Sequence, residues 1–117
     1  LVSENKLLSH PASTDSIPTN NEKEDHVSMG PLAARKAKTI LENSQFILAI
    51  EAISACQALE FRKPLQPGRG ARFLYKQIRE KVLPLEKDRV LSDDIQEIQT
   101  VIANSQIHNR GKAEGLF

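Results

Sequence analysis

The chain has 117 residues, of which 39% are hydrophobic and 26% charged, and its formal net charge is +1. These values fit an ordinary globular domain, and the 5 glycines and 6 prolines are too few for a fibrous or low-complexity chain. The longest apolar run, residues 46–50, is far shorter than the roughly 20 residues of a transmembrane helix, so none is predicted. The single cysteine, Cys56, excludes an internal disulfide and fits a reducing compartment, so we expect a cytoplasmic protein.

Residues 1–30 are predicted to form an irregular, loop-rich segment. They contain Pro11, Pro18 and Gly30 and show no lasting period of 2 or 3.6 residues. The chain starts at Leu1 rather than at a methionine. We therefore expect it to be a piece of a longer polypeptide.

Residues 31–62 lack an internal glycine or proline, and their pattern predicts one long helix. Pro31 suits the first turn, where its missing N–H is no loss, and Ser28 or Gly30 can cap the helix. From position 46 onward the helix is apolar on nearly every side. The polar residues that remain there form a narrow stripe: Glu51, Ser54 and Gln57.

The length of this helix predicts that it packs against other chains or against a missing part of its own chain. About 31 helical residues at roughly 1.5 Å each make a rod of about 46 Å. A compact chain of this length has a radius of gyration of only about 13 Å. The shorter helices that follow are too few to cover such an apolar rod.

Two shorter helices are predicted after a turn-rich connection. The spacing of apolar residues indicates one helix over residues 71–82 and another that Ser92 caps, with Asp93 and Asp94 in its first turn. Residues 105–117 show no period and are predicted to be loose. The predicted fold class is therefore all-α, with one long central helix plus shorter helices.

A polar cluster at residues 22–26, Glu-Lys-Glu-Asp-His, precedes the long helix. Acidic groups near a helix N-terminus commonly interact with the helix dipole and remain solvated, and the residue types alone favour this interpretation. The alternative is a loop that presents a carboxylate or an imidazole to a substrate. His10, His26 and His108 lack a metal-ligand spacing such as HExxH, so no metal site is predicted.

Two nucleophile hypotheses are weak. Ser9, His10 and Asp15 are crowded within seven positions and lack the strand–turn–helix context of a hydrolase nucleophile. Cys56 lies in the apolar half of the long helix, where a cysteine is usually a small buried hydrophobic residue. We therefore predict neither a hydrolase triad nor a reactive thiol.

Residues 62–82 form a basic stretch, in which seven basic side chains oppose only Glu80 and give a local charge of +6. Phe73 and Tyr75 are interleaved with them, as in some nucleic-acid binding surfaces. The following residues, 83–99, carry a local charge of −3. We favour pairing of the basic and acidic stretches, within the chain or across subunits, over nucleic-acid binding.

Several short motifs of the sequence are specific to one protein family. The most specific are Ser-Ile-Pro-Thr at residues 16–19 and Glu-Asp-His-Val-Ser-Met-Gly at residues 24–30. His-Pro-Ala-Ser at 10–13, Cys-Gln-Ala-Leu at 56–59 and Leu-Glu-Lys-Asp-Arg at 85–89 agree with them. Together they resemble the histidine ammonia-lyase family, a branch of the aromatic amino acid lyases. The resemblance covers essentially the whole chain and follows the order of the family's C-terminal portion.

The resemblance implies an enzyme of histidine catabolism that eliminates ammonia from L-histidine to give urocanate. It also implies homotetramers in which long helices bundle at the centre, with active sites shared between subunits. The family's electrophile is methylidene-imidazolone (MIO), formed from an internal Ala-Ser-Gly. This sequence has Ala12-Ser13-Thr14 but no Ala-Ser-Gly. The resemblance therefore assigns the electrophile and the catalytic tyrosine to the remainder of the lyase chain, and the segment alone is expected to be inactive.

Glu24 matches the active-site glutamate of the family, which the resemblance places against the imidazole or the amino group of the substrate. A carboxylate suits this role because it accepts a charge-assisted hydrogen bond from either cationic group. Lys23 stands where the family usually has glutamine and is a second candidate for substrate binding. His26 receives no catalytic role. On this basis residues 1–30 are the active-site loop segment, and residues 31–117 are the C-terminal helical segment of a larger lyase chain.

Three other functions remain open at this stage. The chain could belong to a lyase or an aminomutase of the same family that acts on another aromatic amino acid. It could also be a non-catalytic helical assembly module. Nucleic-acid binding by residues 62–82 is the third and the least favoured, so we expect no nucleic-acid partner. We expect no membrane partner either.

Overall fold

The computed structural model describes residues 1–14, 16–21, 23–24 and 26–116. The helices predicted from the sequence dominate this part of the chain, in which the structure shows no β-strand. Five α-helices and a short 3₁₀ helix at Ala12–Thr14 are present. The α-helices are α1 (Val2–Leu8), α2 (Gly30–Glu60), α3 (Arg69–Arg79), α4 (Ser92–Ala103) and α5 (Gln106–Ala113). The all-α prediction is confirmed.

The predicted long helix is α2, which runs uninterrupted for 31 residues. It begins at Gly30, one residue before the predicted start, and ends at Glu60. The N–H of Ala33 donates to the carbonyl of Met29 at 3.0 Å. Met29 is therefore the first residue whose carbonyl accepts a helical bond, a position predicted for Ser28 or Gly30.

Helix α1 was not predicted, because residues 1–30 show no helical period. Its contacts with α2 are polar. The side-chain amide of Asn43 donates to the carboxylate of Glu4 at 2.8 Å and to the side-chain oxygen Oδ1 of Asn5 at 3.0 Å. The amide of Asn5 in turn donates to the hydroxyl of Ser44 at 3.2 Å. Hydrogen bonds between distant residues, which a sequence period does not reveal, thus hold this helix in place.

Helix α5 also contradicts the sequence prediction, which left residues 105–117 loose. It contacts both α3 and α4, and Gly111 is buried. The guanidinium of Arg110 lies 2.7 Å from the carboxylate of Glu80 at the end of α3. These contacts between separate helices order a segment whose own sequence pattern is weak.

The other helices follow the predictions with shifted ends. Helix α3 begins two residues before the predicted start and ends three residues before the predicted end. Ser92 is the first residue of α4 rather than its cap, and its side chain makes no capping hydrogen bond. Asp93 and Asp94 lie in the first turn of α4, as predicted.

Two compact units divide the chain, Leu1–Ser44 and Gln45–Phe117. The second unit contains the hydrophobic core, to which α2, α3 and α4 contribute. Its central residues are Ala49, Cys56, Ile78, Val82 and Ile98. Among the described residues of the first unit, no hydrophobic side chain is buried. The division of function at residue 30 stays a prediction.

Cys56 is a packing residue, as predicted. Its side chain lies in the core of the second unit and is only 3% exposed. Burial is the main cause that raises the pKa of its thiol. A buried thiol with a raised pKa is a poor nucleophile, because the thiolate is the reactive form.

A polar network joins α3 to the C-terminal end of α2. The Tyr75 hydroxyl and the Arg79 guanidinium donate to one carboxylate oxygen of Glu60, at 2.6 and 3.0 Å. The ammonium of Lys63 lies 2.6 Å from the other oxygen. Lys63 first, then Tyr75 and Arg79, lower the pKa of Glu60 to about 2. The carboxylate of Glu60 therefore serves to hold α3 against α2.

The side chain of Gln57 makes two hydrogen bonds that hold the loop after α3 to α2. The carbonyl oxygen of Gln57 accepts from the N–H of Leu85 at 2.9 Å, and its amide donates to the carbonyl of Leu85 at 3.2 Å. Such a two-way pair satisfies both backbone groups of Leu85. Gln57, predicted to be part of a polar stripe on an otherwise apolar helix, is therefore an internal partner of this loop.

Exposed apolar side chains remain on α2 despite this packing. Leu48 is 50% exposed and Leu41 is 59% exposed, and Phe61, just beyond the helix, is 82% exposed. Exposed apolar side chains on one helix are candidate contacts for further protein. None of the helices in the described ranges has the length and hydropathy to span a membrane.

The network at Glu60 predicts a pH-dependent stability. The folded-state pKa of Glu60 is about 2 against 4.5 for the free group. The stabilisation is therefore complete above pH 4.5 and is lost as the pH falls toward 2. Glu60→Gln should lower the free energy of unfolding at pH 7 by about 1–3 kcal/mol, and the difference from wild type should shrink in acid.

Urea unfolding of the polypeptide that carries this segment, followed by helical circular dichroism, measures this difference at several pH values. Glu86→Gln is the control, since Glu86 is exposed and has no ion pair within the described residues. A difference that stays constant from pH 7 to pH 2.5 would contradict the assignment.

The exposed apolar side chains predict that the isolated 117-residue chain self-associates. Sedimentation velocity should show oligomers or aggregates, because burying one large aliphatic side chain is worth about 1.5–3 kcal/mol. Leu48→Glu and Ile50→Glu should weaken the association, whereas Ser54→Glu adds the same charge at an exposed polar position of the same helix. A monodisperse wild-type monomer that melts cooperatively would refute this prediction.

Candidate active-site loop

The segment before α2 is closed as a hairpin by backbone hydrogen bonds. The N–H of Thr19 donates to the carbonyl of Glu24 at 3.0 Å, and the N–H of Glu24 donates back to the carbonyl of Thr19 at 3.3 Å. Farther from the turn, the N–H of Val27 donates to the hydroxyl of Ser16 at 2.8 Å. Residues 16 and 27 lie at equal distances from the same turn as residues 19 and 24, so this side-chain bond agrees with the antiparallel register of the backbone pair.

The turn itself depends on two asparagines. Asn20 has φ of 51° and Asn21 has φ of 56°, in the left-handed region. Asparagine adopts this region more readily than most residues. The N–H of Lys23 donates to the carbonyl of Asn20 at 3.3 Å and completes the turn. The chain thus reverses between Thr19 and Glu24 with residues suited to that conformation.

Glu24 is exposed, and its carboxylate is held from one side. The Thr19 hydroxyl donates to Oε2 of Glu24 at 3.1 Å. Within the described ranges, Oε1 of Glu24 makes no hydrogen bond. A carboxylate with one oxygen fixed and the other accessible can accept a hydrogen bond from a cationic ligand.

Among the described residues, Lys23 forms no ion pair with Glu24. Lys23 is exposed, and among the residues described here no ion pair joins its ammonium to a carboxylate. A role for Lys23 in substrate binding stays a prediction. His26 is also exposed. The other members of the predicted polar cluster, Glu22 and Asp25, lie outside the described residues.

Thr19 is the site residue that the sequence analysis missed. The motif Ser-Ile-Pro-Thr supported the family resemblance, but the sequence predicted no role for its threonine. The available signal was the Asn-Asn pair at 20–21, a turn motif that places residues 19 and 24 on opposite strands. The hydroxyl–carboxylate bond then depends on the register of the hairpin.

The residues that precede the hairpin do not form a hydrolase triad. The Ser9 hydroxyl donates to the carbonyl of Lys6 at 2.8 Å rather than to His10. The ammonium of Lys36 donates to the carbonyl of His10, which fixes this stretch to α2. Asp15, the third member of the hypothetical triad, lies outside the described residues.

Ala12-Ser13-Thr14 does not fit the precursor of MIO. The third position of the precursor is glycine, whereas here Thr14 carries a side chain whose hydroxyl donates to the carbonyl of Pro11 at 2.9 Å. The three residues form a 3₁₀ turn. The electrophile is therefore not built from this tripeptide. In the described part of the chain, no cluster of three or more His, Cys, Asp and Glu residues could hold a metal ion.

The basic stretch at 62–82 finds acidic partners within the chain. Lys81 pairs with Glu97 on α4 at 3.0 Å, which joins the basic and acidic stretches as predicted. Arg79 pairs with Glu60 of α2. Since these pairs neutralise part of the basic surface internally, the structure favours a packing role over nucleic-acid binding.

Comparison with known proteins gives consistent results for this helical fold. A family model described as aromatic amino acid lyase matches residues 1–80. Over all 117 residues the chain is 53% identical to a histidine ammonia-lyase of Caldanaerobacter subterraneus subsp. tengcongensis, of which it covers 23%. The crystal structure of histidine ammonia-lyase from Trypanosoma cruzi superposes with a TM-score of 0.87 at 39% identity. It aligns with 96% of this chain, which covers 22% of that structure.

A tyrosine aminomutase from Streptomyces globisporus has the same fold, with a TM-score of 0.87 at 34% identity over 97% of this chain and 22% of its own. Helices and loop together thus define a segment of the all-α lyase fold. The chain belongs to the aromatic amino acid lyase family. It spans about a fifth of the length of the curated relatives that it matches.

Proposed function

We propose that this chain is the C-terminal part of a histidine ammonia-lyase, which eliminates ammonia from L-histidine to give urocanate. The observation that carries this proposal is the 53% identity to a histidine ammonia-lyase across every residue of the chain. The identity of the substrate rests on this similarity, because the described residues include only one side of an active site. In the cell we place the protein in the cytoplasm.

Glu24 is the residue of this chain that we assign to the reaction. Its carboxylate is exposed and is oriented by the Thr19 hydroxyl. Such a group can accept a charge-assisted hydrogen bond from the imidazole or the ammonium group of histidine. In this position it binds the substrate and can hold a proton during the elimination. Lys23 is the second residue that we place beside the substrate.

The remainder of the lyase chain supplies what this segment lacks. MIO, when formed there, provides the electrophile of the family, and no residue of Ala12-Ser13-Thr14 contributes to it. The catalytic tyrosine likewise belongs to the remaining sequence. This division explains why a segment can contain a specific active-site loop without a complete catalytic centre.

We further propose that the complete polypeptide forms a homo-oligomer, a tetramer in the family pattern. The support is the exposed apolar surface along α2, including Leu41, Leu48 and Ile50. A long helix covered only in part by its own chain requires further partners. A central bundle of such helices from several subunits would cover it.

A second candidate function is a lyase or an aminomutase for another aromatic amino acid. The support is the tyrosine aminomutase structure, which has a TM-score of 0.87 with this chain. Its identity of 34% is lower than the 53% shared with the histidine ammonia-lyase. Assays of the complete polypeptide with L-histidine, L-tyrosine and L-phenylalanine distinguish the two, whereas no turnover of any of them would favour a non-catalytic assembly module.

In the complete polypeptide, Glu24→Gln should reduce turnover of L-histidine by about 10²–10⁴-fold while leaving assembly intact. The substitution keeps the shape of the side chain and removes the charge that binds a cationic group. Urocanate formation, followed by its ultraviolet absorbance, and the oligomer mass are measured on the same preparation.

Glu86→Gln serves as the matched control, since it neutralises an exposed carboxylate in another loop. If Glu24→Gln retains near-normal turnover, Glu24 is only a solvated residue near the helix dipole. If both turnover and assembly are lost, the loop has a structural role instead.

The isolated 117-residue chain should produce no urocanate from L-histidine, because it contains no Ala-Ser-Gly from which the electrophile forms. Incubation with L-histidine and spectroscopic detection of the conjugated product test this expectation. Activity that scales with the amount of purified chain would contradict the proposed division between this segment and the remainder.

A further inference from the structure

We propose that Thr19 is a positioning residue, which orients the carboxylate of Glu24 for the cationic group of the substrate. The inference rests on the proposed function of Glu24. Its structural support is the hydrogen bond of 3.1 Å from the Thr19 hydroxyl to Oε2 of Glu24, which joins the two sides of the hairpin. Thr19 itself does not have to touch the substrate.

The backbone fixes the two residues opposite each other. Thr19 and Glu24 exchange both of their N–H···O bonds, at 3.0 and 3.3 Å. Such a pair holds the side chains on the same face of an antiparallel ladder. Threonine is also stiff at χ1 because it is branched at Cβ. The donor hydroxyl is therefore held in one place rather than on a mobile chain.

The geometry divides the two oxygens of the carboxylate between separate tasks. Oε2 accepts the bond from Thr19, while Oε1 accepts none within the described residues. Glutamate is among the side chains with the most rotamer freedom, and an exposed glutamate loses this freedom when it binds a ligand. A hydrogen bond to Oε2 restricts that freedom beforehand and leaves Oε1 accessible to the substrate. This is preorganisation of a binding group.

The strength of the hydrogen bond from Thr19 to Glu24 determines how far its loss should lower kcat/KM. A neutral hydroxyl that donates to a carboxylate makes a charge-assisted bond, which is stronger than a bond between neutral groups. Its loss should lower kcat/KM by about 10- to 100-fold. Because Thr19 acts through Glu24, the loss should disappear when Glu24 no longer carries a charge.

The test compares four variants of the complete polypeptide: Thr19→Val, Thr19→Ser, Glu24→Gln, and the double variant Thr19→Val with Glu24→Gln. Valine has nearly the shape of threonine but no hydroxyl, whereas serine keeps the hydroxyl. We expect Thr19→Val to lower kcat/KM for L-histidine by about 10- to 100-fold. Thr19→Ser should recover most of that loss, and Thr19→Val should change the Glu24→Gln enzyme by no more than about 2-fold.

The outcomes separate this inference from the proposed function. A crippled Glu24→Gln enzyme together with a near-normal Thr19→Val enzyme overturns the role of Thr19 and leaves that of Glu24. A near-normal Glu24→Gln enzyme overturns both. An equal loss from Thr19→Val in the presence and absence of the charge shows that Thr19 only stabilises the hairpin.

If Thr19→Val does not assemble, Thr19→Ala removes the same hydroxyl with less bulk. The same comparison with Thr19→Ser and with the Glu24→Gln background then decides the question. Oligomer mass is measured for every variant, so that a loss of kcat/KM is attributed to the site only where assembly is unchanged.

Discussion

The apolar surface of α2 is the constraint on which the rest of the structure depends. Thirty-one residues form one helix, of which the second unit covers the side that includes Ala49 and Cys56. The described part of the first unit buries no hydrophobic side chain and holds α1 to α2 by amide and hydroxyl groups instead. A unit with so little core gains little of the apolar burial that stabilises a domain by itself.

Glu60 and Glu24 differ in the number of hydrogen-bond donors that contact their carboxylates. Glu60 receives three donors, two on one oxygen and one on the other, and its charge joins α2 to α3. Glu24, within the described residues, receives one side-chain donor and is exposed. A carboxylate that already accepts from three donors has little capacity left for a ligand, whereas one held by a single donor is oriented and still available. The two groups have the same chemistry, so their surroundings are what distinguishes them.

The sequence predicted the parts of the fold that periodicity controls. Helix α2 and the burial of Cys56 followed from the absence of helix breakers and from the apolar pattern around position 56. Helices α1 and α5 did not, because bonds such as Asn43 to Glu4 and Arg110 to Glu80 join residues that are far apart in the chain. The start of α4 was also mispredicted, since Ser92 is the first residue of the helix and its side chain bonds to Asp93 instead of capping the helix.

The candidate site was predicted only in part for a similar reason. Glu24 was found through the motif at residues 24–30, which lies in consecutive positions. Thr19 was not, because its contact with Glu24 appears only once the register of the hairpin is known. The pair Asn20 and Asn21 fixes that register through backbone conformations that few residues adopt. Pairing residues that lie at equal distances from the turn would have identified Thr19 as the neighbour of Glu24.

The network at Glu60 has a spectroscopic consequence. Tyr75 is the single tyrosine of this sequence, which contains no tryptophan. Its ring lies 5.7 Å from the guanidinium carbon of Arg79, and its hydroxyl is bonded to Glu60. The near-ultraviolet absorption and emission of tyrosine therefore come from one ring at the junction of α2 and α3. Separation of these two helices would change the surroundings of that chromophore, so this segment contains its own optical reporter of helix packing.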